Sequence, residues 1–362
     1  MARVKRLEDD NLRIVQIWLV SRLMLAVIAV SIAIINTRSL ESVVAQWDVA
    51  HFVAISAQGY ADPKEMAFFP GWPLILHALG LTGIPKVLGG TIVALVCSLV
   101  AAFALKRIAG PWGAIAWLLA PTAVFTAVPY TESPFCAAAF WAWERATKDK
   151  WGQAAVLAAL ASTLRVSGLF LIGALVILAL TQKRGRGQSL AGRLSWLVLP
   201  AAVIVVYVTY LYGLTGSWTA WFSAQEAGWQ RGFHWPWEAL VNHWDTLWTP
   251  NLDHPEWPWV FRAELISWIV GLVVTVVALA KRRVAEASWV GVQVLAFSLS
   301  YWLMSVNRAV LLWFPLWRLI DDVVSSRPRT RGWMVVGGII AAAALVIQGV
   351  WAWLYFTGRW AS

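Results

Sequence analysis

A chain of 362 residues that is 60% hydrophobic and only 13% charged, with a net charge of +10, lies outside the range of soluble domains, which run near ~45–50% apolar and ~25% charged. Its mean hydropathy of +0.65 also excludes a disordered or fibrous chain and defines a polytopic membrane protein. Two cysteines, Cys97 and Cys136, both in apolar stretches, exclude a disulfide framework and a four-ligand zinc site.

The N-terminal MARVKRLEDDNLR carries both signs of charge. The apolar run 14–36 after it is too long for a signal-peptide core and has no clear small-x-small cleavage site, so it reads as an uncleaved first span. A first outer loop, 37–86, follows. Within it VVAQWDVAHFVAISAQGY sets Trp47, Ala50, Ala54 and Ala57 at three-to-four spacing, which predicts a helix lying along the membrane surface. FFPGWPLILHALG is apolar but about a dozen residues long and predicts a re-entrant or interfacial helix. Further apolar runs fall at 87–105, 112–128, 133–147, 152–164, 167–182, 195–214, 263–280, 287–305, 309–320 and 333–356, making about eleven spans with the first. Several are shorter than the ~20 residues a full crossing needs. The second large outer loop, 215–262, is packed with tryptophan, whose indole rings suit headgroup depth. The whole chain, 1–362, reads as one integral membrane domain.

Basic clusters at 3–13, 106–107, 145–150, 183–193, 281–283 and 318–331 hold 20 of the 29 lysines and arginines. Each is separated from the next by an even number of spans, which places them, with the N-terminus, on the cytoplasmic side. The opposite side receives 11 of the 19 acids.

Asp48, in WDVAH, is the acid of the outer amphipathic helix. It reads either as a helix-face acid at headgroup level or as a carboxylate base near the membrane plane. His51, three residues on, shares its face. Glu132, in PYTESPF, either caps the helix that starts beside it or belongs to a site. Arg165, in TLRVSG, and Arg308, in VNRAVLLWFP, stand at the edges of apolar runs. There a charge is costly and either snorkels or points into a polar cavity. Arg22, inside the first span, is a further candidate for pairing with an acid or a phosphate. No P-loop, dinucleotide-binding or Gly-x-Ser-x-Gly motif is present, no cluster has metal-ligand spacing, and the basic residues read as cytoplasmic anchors rather than a nucleic-acid patch.

Four segments, in order, resemble the PIG-V-type mannosyltransferases. QWDVAHFVAISAQGY with AFFPGWPLIL is similar to that family's first outer loop. APTAVFTAVPYTESPF is similar to its Tyr-x-Glu-Ser segment, LASTLRVSGLFLI to its Thr-Arg-x-x-Gly motif, and NRAVLLWFPLW to its Arg…Phe-Pro segment. The resemblance implies a GT-C fold, an all-α polytopic glycosyltransferase with outer-face amphipathic helices. It implies mannose transfer from polyprenyl-phosphate-mannose to a membrane glycolipid or glycan acceptor on the extracytoplasmic face. Asp48 would be the general base and Glu132 a second carboxylate, with substrate contacts from Trp47, His51, Tyr130, Arg165 and Arg308. Neither metal nor cofactor is expected beyond the lipid-linked donor, and no nucleic acid partner. The Ala, Val, Arg and Trp bias resembles a high-GC bacterium, hence a plasma-membrane protein. The alternatives are a lipid or sugar transporter and a non-catalytic subunit of a membrane glycosylation complex. Against the transporter stand the lack of inverted-repeat symmetry and of paired broken helices.

Overall fold

The computed structural model describes residues 2–182, 189–328 and 330–361, and every regular element among them is helical. The first apolar run extends a long helix, α1 (Ala2–Ile35). A short α2 (Leu40–Val44), N-capped by the Ser39 side chain, precedes α3 (Asp48–Gln58), which ends at Gly59 with φ 68°. A 3-10 turn at Pro63–Ala67, closed by an Asp62/Glu65 capping box, leads to α4 (Gly71–Leu81). Next come α5 (Lys86–Ala109), the short α6 (Pro111–Leu118) and a 3-10 turn at Ala123–Thr126. The hairpin series α7 (Glu132–Thr147), α8 (Trp151–Leu164) and α9 (Ser167–Thr181) follows. Then α10 (Leu190–Trp196) runs almost directly into α11 (Val198–Thr215). The Trp-rich loop folds into α12 (Ala220–Trp229) and α13 (Pro236–Trp248). The chain finishes with α14 (Trp257–Ala280), α15 (Val284–Ser298), α16 (Val306–Ala309) with a 3-10 turn at Val310–Leu312, α17 (Phe314–Ser325) and α18 (Arg331–Phe356).

By length and composition, five helical stretches among the described residues can cross a membrane alone: Glu8–Ile35, Lys86–Ala109, Leu190–Thr215, Trp257–Ala280 and Arg331–Phe356. The other expected spans are shorter helices or interrupted ones, so eleven full-length spans are not what the helix lengths give. The outer helix also differs from its expected form. It is interrupted at 45–47, and its buried face is Val49, Phe52, Ile55 and Ser56, while Ala50 and Ala57 are exposed. The larger apolar side chains hide more surface than alanine does, and they decide which face turns inward.

Two interrupted segments, α6 with its 3-10 turn and α16–α17, pack against each other. Breaks in a helix strand backbone carbonyls, and neighbouring side chains satisfy them here. Gln348 of α18 donates to the Leu118 and Ala120 carbonyls at 3.0 and 3.1 Å, and Arg22 of α1 donates to Thr126 Oγ1 at 2.7 Å and to the Ala123 carbonyl at 3.4 Å. Arg22 therefore braces a broken helix, and among the described residues it pairs with no acid. At the second break, Trp117 and Trp289 donate their indole N–H to the Leu311 and Leu312 carbonyls, at 2.8 and 3.0 Å, and Thr122 donates to the Asn307 carbonyl at 3.0 Å.

The helices run between two polar ends. At one, the basic clusters meet their acids: Arg107, Arg145 and Lys148 surround Glu144, Arg193 meets Asp149, and Lys281 and Arg283 meet Asp322. Lys183, Arg184, Arg186 and Arg329 of those clusters lie outside the described residues. The other end holds α3, α12, α13 and the starts of α7, α9 and α16.

Candidate functional site

Asp48 is the first residue of α3, and the chain enters it through a strained link. Trp47 has φ 54° and ψ −120°, a conformation L side chains rarely adopt. Such strain persists only where the surroundings hold it. Here Tyr130 holds the helix start: its hydroxyl accepts the Asp48 backbone N–H at 3.1 Å and lies 3.5 Å from the Gln46 carbonyl. The Tyr355 hydroxyl donates to the Val44 carbonyl at 2.8 Å just upstream. Burial first, and then the neighbouring Asp48 charge, push the Tyr130 phenol well above its ordinary range, so it stays a neutral donor and acceptor.

Asp48 Oδ2 accepts a hydrogen bond from Arg308 Nη1 at 2.7 Å, across 260 residues of sequence. Arg308 in turn sets its Nε 3.1 Å from Glu132 Oε1. The same Glu132 oxygen accepts Arg165 Nη1, and Arg165 also donates to Thr131 Oγ1 at 2.9 Å. The result is a chain of alternating charges, Asp48–Arg308–Glu132–Arg165. Phe125 and Tyr130 lie about one ring contact beneath the Arg308 guanidinium, at 5.4 and 5.3 Å. Burial works against the charge on Arg308, but the Asp48 and Glu132 carboxylates outweigh it and hold the guanidinium above its ordinary value.

Local sequence explains the placement. Arg165 is the one extended residue between α8 and α9. Gly168 permits that tight turn, since a Cβ there would sit 2.4 Å from the Ser162 Cα. Arg308 lies on α16, whose start is held by Glu264: its two oxygens accept the Ser305 and Asn307 backbone N–H groups at 2.9 and 2.7 Å. Ser305, at φ 66°, turns the chain into that short helix.

These groups border a cavity of about 100 Å³ lined by Trp47, Asp48, Arg165, Arg231 and Arg308, with Trp229 and the Phe68–Phe69 pair at its wall. The site residues expected from sequence thus divide. Asp48, Arg165, Arg308 and Trp47 face the cavity. Glu132 is fully buried behind the two arginines, with Oε2 left without a hydrogen-bond partner among the described residues. Tyr130 is buried beneath Asp48. His51 is not on the cavity lining; it stacks on Phe68 at 5.2 Å and meets the edge of Trp229 at 5.8 Å, supporting the wall from behind. Sequence reasoning missed two residues. Arg231 sits in the Trp-rich loop, in no motif. Glu264 had a legible signal, an acid at the start of an apolar run, but nothing in the sequence says which backbone it caps.

Fold and site together define an integral membrane protein with a carboxylate and arginines converging on a small cavity at one end of its helices. Residues 16–184 match the family described as Mannosyltransferase (PIG-V), the family the motifs resemble. That stretch carries Trp47, Asp48, Tyr130, Glu132 and Arg165 and ends before Arg231 and Arg308. The chain is 29% identical over 172 residues to the GPI alpha-1,6-mannosyltransferase 2 of Mus musculus, covering 42% of this chain and 34% of the mouse protein. It is 32% identical over 146 residues to a GPI mannosyltransferase 2 of Cryptococcus neoformans, covering 34% of each. The chain therefore spans about a third of the length of these curated relatives. The crystal structure of ArnT from Cupriavidus metallidurans bound to undecaprenyl phosphate aligns with 92% of this chain and 69% of that one, at 16% identity and a TM-score of 0.47.

Proposed function

We propose that this chain is a GT-C mannosyltransferase that moves mannose from polyprenyl-phosphate-mannose to a membrane glycolipid or glycan acceptor. We place the cavity on the extracytoplasmic face of a bacterial plasma membrane. The observation that carries this reading is the cavity-facing carboxylate of Asp48, one oxygen tied to Arg308 and the other turned to no partner among the described residues.

In the reaction the acceptor hydroxyl attacks the anomeric carbon as the bond from that carbon to the phosphate oxygen breaks. The bonding pair leaves with the lipid phosphate, and the hydroxyl proton passes to Asp48, giving inversion. A carboxylate near the oxocarbenium-like transition state also stabilises its charge. The leaving lipid monophosphate gains negative charge, and fixed guanidiniums oppose that charge without reorganising. Glu132 serves by orienting Arg165 and Arg308 rather than by touching sugar.

The basic end supports the sidedness, because clustered lysine and arginine stay cytoplasmic. A cysteine placed at His234 should react with an impermeant thiol reagent from outside and one placed at Lys148 only after permeabilisation; the reverse pattern overturns the assignment. The activity itself is tested by incubating the purified protein with polyprenyl-phosphate-mannose and a panel of glycolipid acceptors. The rival to this reading is a lipid transporter. Flipping of the lipid without any mannosylated product in that assay would favour it.

A further inference from the structure

Arg231 is a charged cavity residue that lies outside both the motifs and the family match. Its position follows from its neighbours. α12 ends at Gln230, in a left-handed conformation with φ 52°, so the chain turns sharply at the following residue. α12 itself is pinned by Trp221 and Gln225, which donate to the Ala67 carbonyl at 3.2 and 3.3 Å. On the other side, the His234 backbone N–H donates to the Leu299 carbonyl at 3.1 Å. The Arg231 side chain is thereby fixed over the cavity, on the wall that faces Asp48 and Arg308.

Its partners differ in kind from those of the other two arginines. Arg165 is bound to Glu132, and Arg308 to both Asp48 and Glu132. Arg231 donates to a neutral backbone carbonyl, that of Met304, at 3.2 Å, and no carboxylate among the described residues forms an ion pair with it. Enclosure by protein, and then the positive charge of Arg308, pull it down to about 10 against the smaller opposing pull of the Asp48 and Glu264 carboxylates, which still leaves it a cation at neutral pH. A guanidinium held away from bulk water with one neutral partner is costly unless an anion completes it. Its planar fork suits a phosphate, which accepts two parallel N–H bonds.

We infer that Arg231 is the anchor for the phosphate of the lipid-linked sugar, with Arg308 opposite it and Arg165 held back on Glu132. The inference rests on the donor reading given above and assigns the phosphate a specific place in it. The phosphate sits between Arg231 and Arg308, with Asp48 across the cavity from the leaving group. The placement leaves the carboxylate free to face the acceptor. It also gives the outer loop between α11 and α14, which reaches the cavity at Gln225, Trp229 and Arg231, a cation to contribute there.

The test is binding of polyprenyl monophosphate, which carries no sugar, to the full chain in nanodiscs. Wild type, Arg231→Ala, Arg231→Lys and Arg262→Ala are compared, the last removing an outer-loop arginine away from the cavity. Arg231→Ala should weaken binding about 10- to 100-fold, the loss expected for a charged hydrogen-bonding pair, and Arg231→Lys should recover part of it. Arg262→Ala should bind as wild type does. The melting temperature of Arg231→Ala without ligand should not fall, because no ion pair is lost, whereas lipid phosphate should raise the melting temperature of wild type more than that of the variant. If wild type binds the lipid phosphate and Arg231→Ala binds it equally well, the anchor is elsewhere and this inference fails alone. If wild type shows no binding, the lipid-phosphate reading of the whole site fails with it.

Discussion

One helix carries a buried glutamate at each end, and the two are treated in opposite ways. Glu132 opens α7 and Glu144 lies twelve residues on, roughly 18 Å along the axis. Glu144 is saturated: Arg107 and Lys148 bind one oxygen, at 2.7 and 2.5 Å, and Arg145 the other, at 2.5 Å. Two of those partners are nearly half exposed, so solvent relieves any imbalance. Glu132 has both of its arginines on one oxygen, and the other oxygen is buried with no hydrogen-bond partner among the described residues. Its arginines are mostly enclosed, and Arg308 passes the charge on to Asp48. A saturated cluster of this kind ties helices together. An unsaturated one, strung out as a chain of charges beside a cavity, holds groups ready for something else to complete them.

That contrast is open to direct test. Asp48→Asn keeps the size of the side chain and most of its hydrogen bonding but cannot take a proton. Mannose transfer should fall by about 10²–10⁴ while the protein still folds and binds lipid donor, measured as turnover in the purified enzyme. A variant that transferred at the wild-type rate would remove Asp48 as base. Glu132→Gln should cost less in rate and more in stability. It leaves Arg165 and Arg308 enclosed without their shared carboxylate, a loss of about 3 kcal/mol for a broken buried pair. The arginines would then shift, and a displacement near 1 Å lowers turnover about 10²-fold. A lowered melting temperature with unchanged turnover would show that Glu132 belongs to the framework alone. Glu144→Gln should be the mildest. Its half-exposed partners Arg107 and Lys148 can turn to solvent and the cluster lies far from the cavity, so turnover should stay within about twofold of wild type. A large fall in transfer there would erase the distinction between the two ends.

Much of this was legible in the sequence. Apolar run length and the clustering of basic residues marked a multi-span chain with two unlike ends, because hydrocarbon thickness and the cost of moving charge across it act on composition directly. Glu132, Arg165 and Arg308 stood out because an ionised group beside an apolar run needs a cavity or a partner, and Asp48 because it is the acid of an amphipathic outer helix. What composition does not carry is which partner. The bond between Asp48 and Arg308 spans 260 residues and depends on Glu264 seating α16, on Tyr130 seating α3, and on a strained Trp47 between them. Where Tyr130 and His51 sit was not legible either: spacing along a chain does not say that Tyr130 holds the Asp48 backbone or that His51 stacks on Phe68. The interruption of α6 and of α16 was invisible for a related reason. An apolar stretch looks alike whether it is one helix or two pieces, and only the side chains of Gln348, Arg22, Trp117 and Trp289, arriving from distant helices, make the broken form affordable in lipid. Sequence alone thus determined the solvent this chain lives in and which charges it keeps at the apolar edges. Tertiary structure decided which of them meet, because a charge pair in a low-dielectric interior is set by geometry across the whole bundle and not by neighbours along the chain.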